Sequence, residues 1–386
     1  MTKNLSQHMD TIAVHGGLKS EPVTGAVIPP IFQTSTYEQK APGDHSGFDY
    51  SRGTNPTRDA YEEALAAIEN AQYGLSFSSG LAAIQGIIQT LEPPCEVIVS
   101  DDVYGGTGRL FRKLFAKYGI KFHFVDMADI KTFKDLLSDK TKLVWIETPT
   151  NPLMKIADIQ QISQLSKAHS QDIIVAVDNT FCSPVFQQPL SLGADISVHS
   201  TTKYISGHSD VIGGAIMLNN DQLFEKLKFI QFAAGAVASP FECFLLHRSI
   251  RTLSIRMKKH HENAFAVLDF LKNNKKISQI FFPGHKEHRG YEVHQKQTTG
   301  CSGMIAVKLD MSFAEVSKFM TKLKVFTLAE SLGGVESLIN HPEQMTHASV
   351  PEDHRRKLGI DHTLVRFSVG IEDAKDLVGD LEQALS

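Results

Sequence analysis

Lys203 follows a short apolar pattern, Ile196 to Val198, in a segment that also carries two hydroxyl side chains. Ser200 and Thr202 lie two positions apart, so in extended backbone they would share one face and offer two donors to an anion such as phosphate. Ligands of α/β sheets bind at strand ends. A partly desolvated lysine there has a lowered pKa and can form an imine. A solvated lysine at a strand end would give the same local pattern.

Asp178 ends the apolar run Ile173 to Val177. A continuous β-branched run of this length is typical of a strand buried on both faces of a sheet, although a buried helical turn has a similar pattern. A buried carboxylate needs a cationic partner, and a protonated pyridine nitrogen would serve as one. The structural alternative is that Asp178 caps a helix or a turn.

A third anion-binding candidate is the small-residue turn Ser78-Ser79-Gly80, which opens an apolar helix pattern. The free amide groups and positive dipole end of such a helix attract anions, and Gly80 permits close approach. Taken alone the signal is weak, since many helices begin with serine and glycine.

Several other site types lack their usual motifs in this sequence. There is no Walker A lysine motif, no GxGxxG after a strand, no HExxH and no GxSxG. His208-Ser209-Asp210 are adjacent, whereas the members of a catalytic triad converge from separate segments. The histidines at 260, 261, 285 and 288 are better explained by a solvated helix face or loop than by a metal, so no metal site is predicted.

The composition is that of an ordinary globular protein, with 42% hydrophobic and 21% charged residues. The net charge of -4 gives no general attraction to nucleic acid or to anionic membranes. We find no signal peptide in residues 1–14 and no membrane-length apolar run, so we expect a cytoplasmic protein. The four cysteines have no CxxC spacing and are predicted to be buried reduced thiols: Cys95, Cys182, Cys243 and Cys301.

The pattern along the sequence divides into three parts. Residues 1–54, rich in proline, glycine and threonine, predict an extended arm that subunits could share. Residues 55–245 begin with a Pro-initiated helix after Asn55 and then alternate helices with strand patterns, which predicts parallel βαβ units with helices on both sheet faces. The strand patterns are Glu96 to Val99, Lys121 to Val125, Leu143 to Ile146, Ile173 to Val177, Ile196 to Val198 and Gly214 to Leu218.

Residues 246–386 predict a smaller α+β domain. A helical stripe from Phe241 to Lys272 predicts one long helix that joins the two domains. The remaining patterns are a strand at Met304 to Leu309, a helix from Phe313 to Leu323, a polar loop around Pro342 to Pro351 and a strand at Leu364 to Val369.

Taken together, these segments resemble the Cys/Met-metabolism family of pyridoxal-phosphate (PLP) enzymes, which includes cystathionine γ-lyase, cystathionine γ-synthase, cystathionine β-lyase and methionine γ-lyase. The resemblance extends over almost the whole sequence. The motifs that carry it are Tyr50-Ser51-Arg52, Asn55-Pro56-Thr57, Ser78-Ser79-Gly80, Asp102-Val103-Tyr104-Gly105-Gly106-Thr107, Glu147-Thr148-Pro149-Thr150-Asn151-Pro152, Asp178-Asn179-Thr180, Ser200-Thr201-Thr202-Lys203-Tyr204 and Glu330-Ser331-Leu332-Gly333-Gly334.

The resemblance implies a fold type I PLP transferase, with a mainly parallel seven-stranded sheet between helices. It implies that Lys203 carries the cofactor as a Schiff base, that Asp178 pairs with the pyridine nitrogen and that Tyr104 stacks on the ring. By the same resemblance, the phosphate is held by Gly80, Leu81, Ser200 and Thr202, with Tyr50 and Arg52 from a neighbouring subunit.

For the substrate, the resemblance implies a small amino acid whose α-carboxylate is gripped by Arg366. The residues around that amino acid would be Asn151, Glu330, Ser331, Arg366 and Arg109. A site shared between subunits requires at least a dimer, and family members are usually homotetramers built as dimers of dimers.

The activity that the resemblance implies is cleavage of a carbon–sulfur bond within the substrate's own side chain, with proton transfer by Lys203 and Tyr104. Glu330 matches the acidic residue of the γ-acting members, so cystathionine γ-lyase activity is expected. Cystathionine γ-synthase and cystathionine β-lyase remain alternatives, followed by methionine γ-lyase and a catalytically inactive homologue.

Overall fold

A computed structural model of the protein describes residues 8–348 and 352–386. Its larger sheet has seven strands in the order β1-β7-β6-β5-β4-β2-β3. Strands β6, β5, β4, β2 and β3 pair in parallel, whereas β7 runs antiparallel to both of its neighbours. The strands are β1 (Tyr73–Phe77), β2 (Cys95–Ser100), β3 (Ile120–Val125), β4 (Thr141–Glu147), β5 (Ile174–Asp178), β6 (Ile196–His199) and β7 (Gly214–Leu218).

The described residues up to position 250 also form nine α-helices. They are α1 (Met9–His15), α2 (Pro56–Ile68), α3 (Gly80–Ile88), α4 (Gly105–Arg109), α5 (Ile130–Leu136), α6 (Ile159–His169), α7 (Ser183–Phe186), α8 (Asp221–Ala234) and α9 (Pro240–Ile250).

Helices cover both faces of the larger sheet, and β4 illustrates how. Leu143 and Trp145 pack in one apolar cluster together with side chains of α3 and α8. Val144 and Ile146 point the other way, into a cluster with side chains of α5 and α6. Because alternate side chains of a strand face opposite sides, a strand buried on both faces must be apolar throughout. This confirms the predicted α/β architecture.

The smaller sheet has five strands in the order β10-β11-β12-β9-β8 and is mainly antiparallel. Its strands are β8 (Ile277–Phe281), β9 (Met304–Leu309), β10 (Thr327–Leu328), β11 (Leu338–Asn340) and β12 (Leu364–Ser368). The accompanying helices are α10 (Leu253–Leu271), α11 (Tyr291–Gln297), α12 (Phe313–Lys322), α13 (Glu352–Leu358) and α14 (Ala374–Leu385).

The predicted long helix over 241–272 is wrong in one respect, because it is two helices, α9 and α10. At the break, the amides of Arg251 and Thr252 bond to carbonyls three residues back rather than four. The carbonyl of Ser249 also accepts from the guanidinium of Arg256, at 2.9 Å. These competing bonds end α9, and the apolar stripe continues in α10.

The N-terminal arm is also less extended than predicted. It contains α1, whose Ala13 is buried against the cluster that includes Leu65 of α2. One buried residue in two helical turns is too short a pattern to give a periodic signal. Residues 1–7, and residues 349–351 of the predicted polar loop, lie outside the described part. The domain boundaries after residues 54 and 245 stay predictions.

Among residues 8–348 and 352–386, no helix combines the length and the apolar character needed to cross a membrane.

Asn55 joins the arm to α2, as the helix-start pattern suggested. Its Oδ1 accepts from the amides of Thr57 and Arg58, and its Nδ2 donates to the carbonyl of Phe32 at 2.9 Å. We expect Asn55→Ala to lower the free energy of unfolding by about 1–2 kcal/mol, because the cap and the tie to the arm are lost together.

The measurement is urea unfolding followed by far-ultraviolet circular dichroism. Ser312→Ala, which removes the cap at the surface of α12, is the control and should lose about 0.5–1 kcal/mol. Equal losses for the two variants would contradict the linking role of Asn55.

Candidate active site

A cavity of about 360 Å³ lies at the carboxyl ends of the central strands of the larger sheet. Glu147 and Asp178, the last residues of β4 and β5, line it from one side. Arg366 of β12 and Ser331, from the region of the smaller sheet, line it as well. A site at this edge is expected for an α/β sheet, and the cavity size suits a small organic ligand.

Lys203 lies in the turn that follows β6 and reaches into this cavity. Its Nζ donates to the hydroxyl of Ser331 at 2.7 Å. Burial, followed by the nearby guanidinium of Arg366, lowers the pKa of Lys203 to about 8. The amine is therefore far easier to deprotonate than an exposed lysine, which is what an imine-forming amine requires.

The local geometry that we predicted for Ser200 and Thr202 is wrong, although both residues line the cavity. The amide of Lys203 donates to the carbonyl of Ser200 at 3.1 Å, so the backbone turns here and is not extended. The Thr202 hydroxyl exchanges hydrogen bonds with the backbone of Gly213. The turn, rather than strand alternation, brings the two residues to one cavity wall.

Asp178 is buried, and its contacts leave one oxygen for a ligand. The amide and the hydroxyl of Thr180 both donate to Oδ1, at 3.1 and 2.6 Å. Oδ2 is thus the oxygen available to a group in the cavity. Burial raises the pKa of Asp178, opposed by the bonds from Thr180. A cation placed at Oδ2 would stabilise the ionised carboxylate.

The start of α3 forms an anion-binding wall of the same cavity. Ser79 caps this helix by accepting from the amide of Ala82 at 3.1 Å, and Gly80 and Leu81 line the cavity. The first amides of a helix have no partner within it, so they can donate to an anion. A Cβ atom on Gly80 would lie 2.9 Å from Cβ of Ser200, so only glycine fits there.

Arg366, Asn151 and Ser331 form a connected group in the cavity wall. The guanidinium of Arg366 donates to Oδ1 of Asn151 and to the carbonyl of Ser331, both at 2.8 Å. Its Nε is buried and has no hydrogen-bond partner in the described structure. An unpaired buried donor is costly, and a substrate carboxylate would satisfy it.

The remaining predicted site residues divide into two sets. Tyr104 and Glu330 line the cavity. Tyr50, Arg52 and Arg109 are not among its lining residues. Arg52 instead donates to the carbonyl of Phe232 at 2.7 Å and lies over the Phe232 ring. The role of Tyr50 and Arg52 in the site of a neighbouring subunit therefore stays a prediction. The substrate role of Arg109 stays a prediction as well.

Sequence reasoning missed Glu147 as a site residue, although its segment was noted. The carboxylate is buried, lines the cavity and accepts from the amides of Tyr104 and Asn151. The available signal was an acidic residue at the end of a strand as apolar as that of Asp178.

Comparison with known proteins gives the family. A family model described as Cys/Met metabolism PLP-dependent enzyme matches residues 10–386. The chain belongs to this family. The family match also confirms PLP as the cofactor that the resemblance implied, and a small amino acid fits as the substrate of such an enzyme.

Individual relatives in the family carry three activity names. A cystathionine gamma-lyase of Dictyostelium discoideum is 50% identical over 386 residues, covering 100% of this chain and 99% of the relative. A cystathionine beta-lyase of Coxiella burnetii is 47% identical over 384 residues, covering 99% of this protein and 99% of the relative. The crystal structure of a cystathionine gamma synthase from Xanthomonas oryzae pv. oryzae in complex with cystathionine has a TM-score of 0.96 and 41% identity, covering 99% of this protein and 98% of that one.

The residues of this family member fit PLP. The cavity offers an amine at Lys203 for the aldehyde, the Oδ2 atom of Asp178 for the ring nitrogen, and the first amides of α3 for the phosphate. The unpaired Nε of Arg366 remains for a substrate carboxylate.

The lowered pKa of Lys203 predicts how PLP attachment depends on pH. Only the neutral amine attacks an aldehyde, so the attachment rate to cofactor-free protein should rise about tenfold per pH unit below the pKa and level off above it. With a pKa of about 8, the plateau should begin near that pH. The rate is followed by the visible absorbance of bound PLP.

An ordinary lysine, with a pKa of about 10.4, would give a rate that is still rising at about pH 10. Such a profile would contradict the desolvated environment of Lys203. Lys203→Ala is the control for attachment at other lysines.

Proposed function

We propose that this protein is a PLP-dependent carbon–sulfur lyase that cleaves cystathionine at the γ carbon, releasing cysteine, 2-oxobutanoate and ammonia. The observation that carries the proposal is the meeting of Lys203, Asp178 and Arg366 in one cavity that also has Glu330 at its wall. The γ-lyase relative, similar over the full length, supports the same activity.

The cofactor supplies an electron-withdrawing ring, which stabilises negative charge at the substrate Cα while the ring nitrogen is protonated. Asp178 would hold the proton on that nitrogen when the cofactor is bound, because a buried carboxylate favours a neighbouring cation. The Nζ of Lys203 is partly neutral near pH 8 and takes the Cα proton. Arg366 and Asn151 orient the substrate by its α-carboxylate.

Release of the thiol needs a proton at the leaving sulfur, which Lys203 or the hydroxyl of Tyr104 can deliver. Both residues line the cavity. Glu330 offers its carboxylate to the distal ammonium of cystathionine, which favours a substrate with a second amino group.

The alternatives are cystathionine γ-synthase and cystathionine β-lyase. Each is the name of a relative, the Xanthomonas oryzae synthase and the Coxiella burnetii β-lyase. The three activities share the removal of the Cα proton. The two lyases then break a C–S bond at the γ or the β carbon, whereas the synthase forms a C–S bond by joining an activated homoserine to cysteine. Methionine γ-lyase has less support, because methionine has no distal ammonium for Glu330. An inactive homologue is disfavoured by the presence of Lys203, Asp178 and Tyr104 in one cavity.

The keto acid formed from cystathionine tests the proposal. The PLP-loaded enzyme should release 2-oxobutanoate, because cleavage at the γ carbon leaves a four-carbon keto acid. Identification by mass spectrometry separates the outcomes: pyruvate would mean β cleavage, and neither acid would point to a synthase. Lys203→Ala should lower kcat by at least about a hundredfold, because the general base is lost.

We also propose a homotetramer, built as a dimer of dimers in which Tyr50 and Arg52 complete the phosphate site of a neighbouring subunit. The support is their absence from the cavity wall of their own subunit and the exposed apolar side chains of the arm and of α8. Val23 of the arm is 88% and Phe229 of α8 is 68% exposed, and contact with another subunit would cover them. A cytoplasmic location is proposed because the four cysteines are unpaired.

Mixing two inactive variants tests the shared site. In a dimer of Arg52→Ala with Lys203→Ala subunits, one site would have both wild-type residues and the other would have neither. Co-refolding equal amounts should therefore restore about a quarter of the wild-type activity per site, because half of randomly formed dimers are mixed. Activity no greater than the sum of the separate variants would contradict a shared site.

A further inference from the structure

Glu147 and Asp178 form a pair of buried carboxylates in the cavity. They are the last residues of the adjacent parallel strands β4 and β5 and lie directly opposite each other in register. Both are at most 9% exposed and line the same cavity. Two carboxylates held side by side out of water disfavour each other's ionised form, so their presence together needs an explanation.

The contacts of Glu147 connect two loops. The amide of Tyr104, in the loop after β2, donates to Oε2 at 2.9 Å and to Oε1 at 3.2 Å. The amide of Asn151, in the loop after β4, donates to Oε1 at 3.2 Å. One carboxylate thus connects the backbone of Tyr104 to the backbone of Asn151.

A carboxylate suits this position better than an amide group. It has two acceptor oxygens, and both are used. A glutamine would have one acceptor and would turn its NH₂ group toward an amide that needs an acceptor. Burial and the charges of Asp178 and Asp102 raise the pKa of Glu147, and the bonds from Tyr104 and Asn151 oppose that rise. The two amides therefore help to stabilise the ionised form.

The Tyr104 ring depends on this backbone anchor for its orientation. The residue is 42% exposed, so few side chains enclose the ring. The ring lies close to the backbone of Gly106, where a Cβ atom would come within 2.4 Å of Cε1. A shift of the Tyr104 backbone would move the ring relative to the cavity.

We propose that Glu147 is a positioning residue, whose carboxylate holds the backbones of Tyr104 and Asn151 together and so fixes the Tyr104 ring in the cavity where PLP would be bound. This role rests on the proposed stacking of Tyr104 on PLP and does not depend on which C–S bond is cleaved. It differs from the role of Asp178, whose Oδ2 would pair with the ring nitrogen, because Glu147 acts through the backbone of other residues.

The test begins with Glu147→Gln, which keeps the shape and removes one acceptor. We expect the induced visible circular dichroism of bound PLP to change, because that signal reports the orientation of the ring and its neighbours. We also expect kcat to fall about tenfold, the effect of one charge-assisted hydrogen bond, with a much smaller change in KM. Glu147→Asp keeps the charge, but its side chain is one methylene shorter and does not reach both amides. It should show the same changes in the dichroism of bound PLP and in kcat.

A double-mutant cycle separates positioning from a general loss of stability. If Glu147 acts through Tyr104, Glu147→Gln should have little further effect on kcat in a Tyr104→Ala background. The matched control is Glu62→Gln, a buried carboxylate that accepts from the amide of Ser76 at 2.8 Å and does not line the cavity. It should leave the dichroism of bound PLP unchanged and kcat within about twofold.

Amide hydrogen exchange in the wild-type enzyme tests the contact itself and requires no variant to fold. The amide of Tyr104 should exchange slowly although the residue is partly exposed, because it is bonded to a buried carboxylate. Rapid exchange at Tyr104, unchanged dichroism in Glu147→Gln, or additive effects in the cycle would each overturn the proposal. If these three measurements give the expected results but cystathionine yields a keto acid other than 2-oxobutanoate, the proposed reaction is wrong and the role of Glu147 stands.

Discussion

The structure depends on the need to balance the opposite charges that meet in one cavity. Asp178 and Glu147 directly follow apolar runs, Ile174 to Val177 and Leu143 to Ile146, so their carboxylates lie at the carboxyl ends of the strands. Because β4 and β5 are parallel neighbours, both carboxylates meet at the same edge. Lys203 and Arg366 line that cavity too, and the same burial that raises the pKa of the acids lowers that of Lys203.

The backbone that follows Lys203 is bonded to a buried arginine, Arg256. The guanidinium of Arg256, in α10, donates to the carbonyls of Tyr204 and Ile205 at 2.6 and 3.2 Å. It also bonds to the end of α9. One arginine therefore connects the point where α9 ends to the backbone next to Lys203.

Much of the fold follows from local pattern. The strands β2 to β7 and the start of α2 were predicted, because apolar runs, a capping asparagine and a proline leave strong periodic signals. The strands β1, β8, β10 and β11 were not. β10 and β11 have only two and three residues, and the apolar runs of β1 (Tyr73–Phe77) and β8 (Ile277–Phe281) are interrupted by glycine or polar residues. The antiparallel direction of β7 was also unpredictable, because a buried strand has the same pattern in either direction.

For the site, the sequence determined the chemical groups: the amine of Lys203, the carboxylate of Asp178 and the guanidinium of Arg366. The family motifs added the roles that those groups are expected to have. Tertiary structure decided which groups are neighbours, as in the bond from Lys203 to Ser331, 128 positions away in sequence. It also decided their protonation, because a pKa depends on burial and on nearby charges that only the packed protein brings together. For Glu147, the sequence shows an acidic residue at the end of an apolar run, whereas only the tertiary structure shows that it lies beside Asp178 and accepts from the amide of Tyr104.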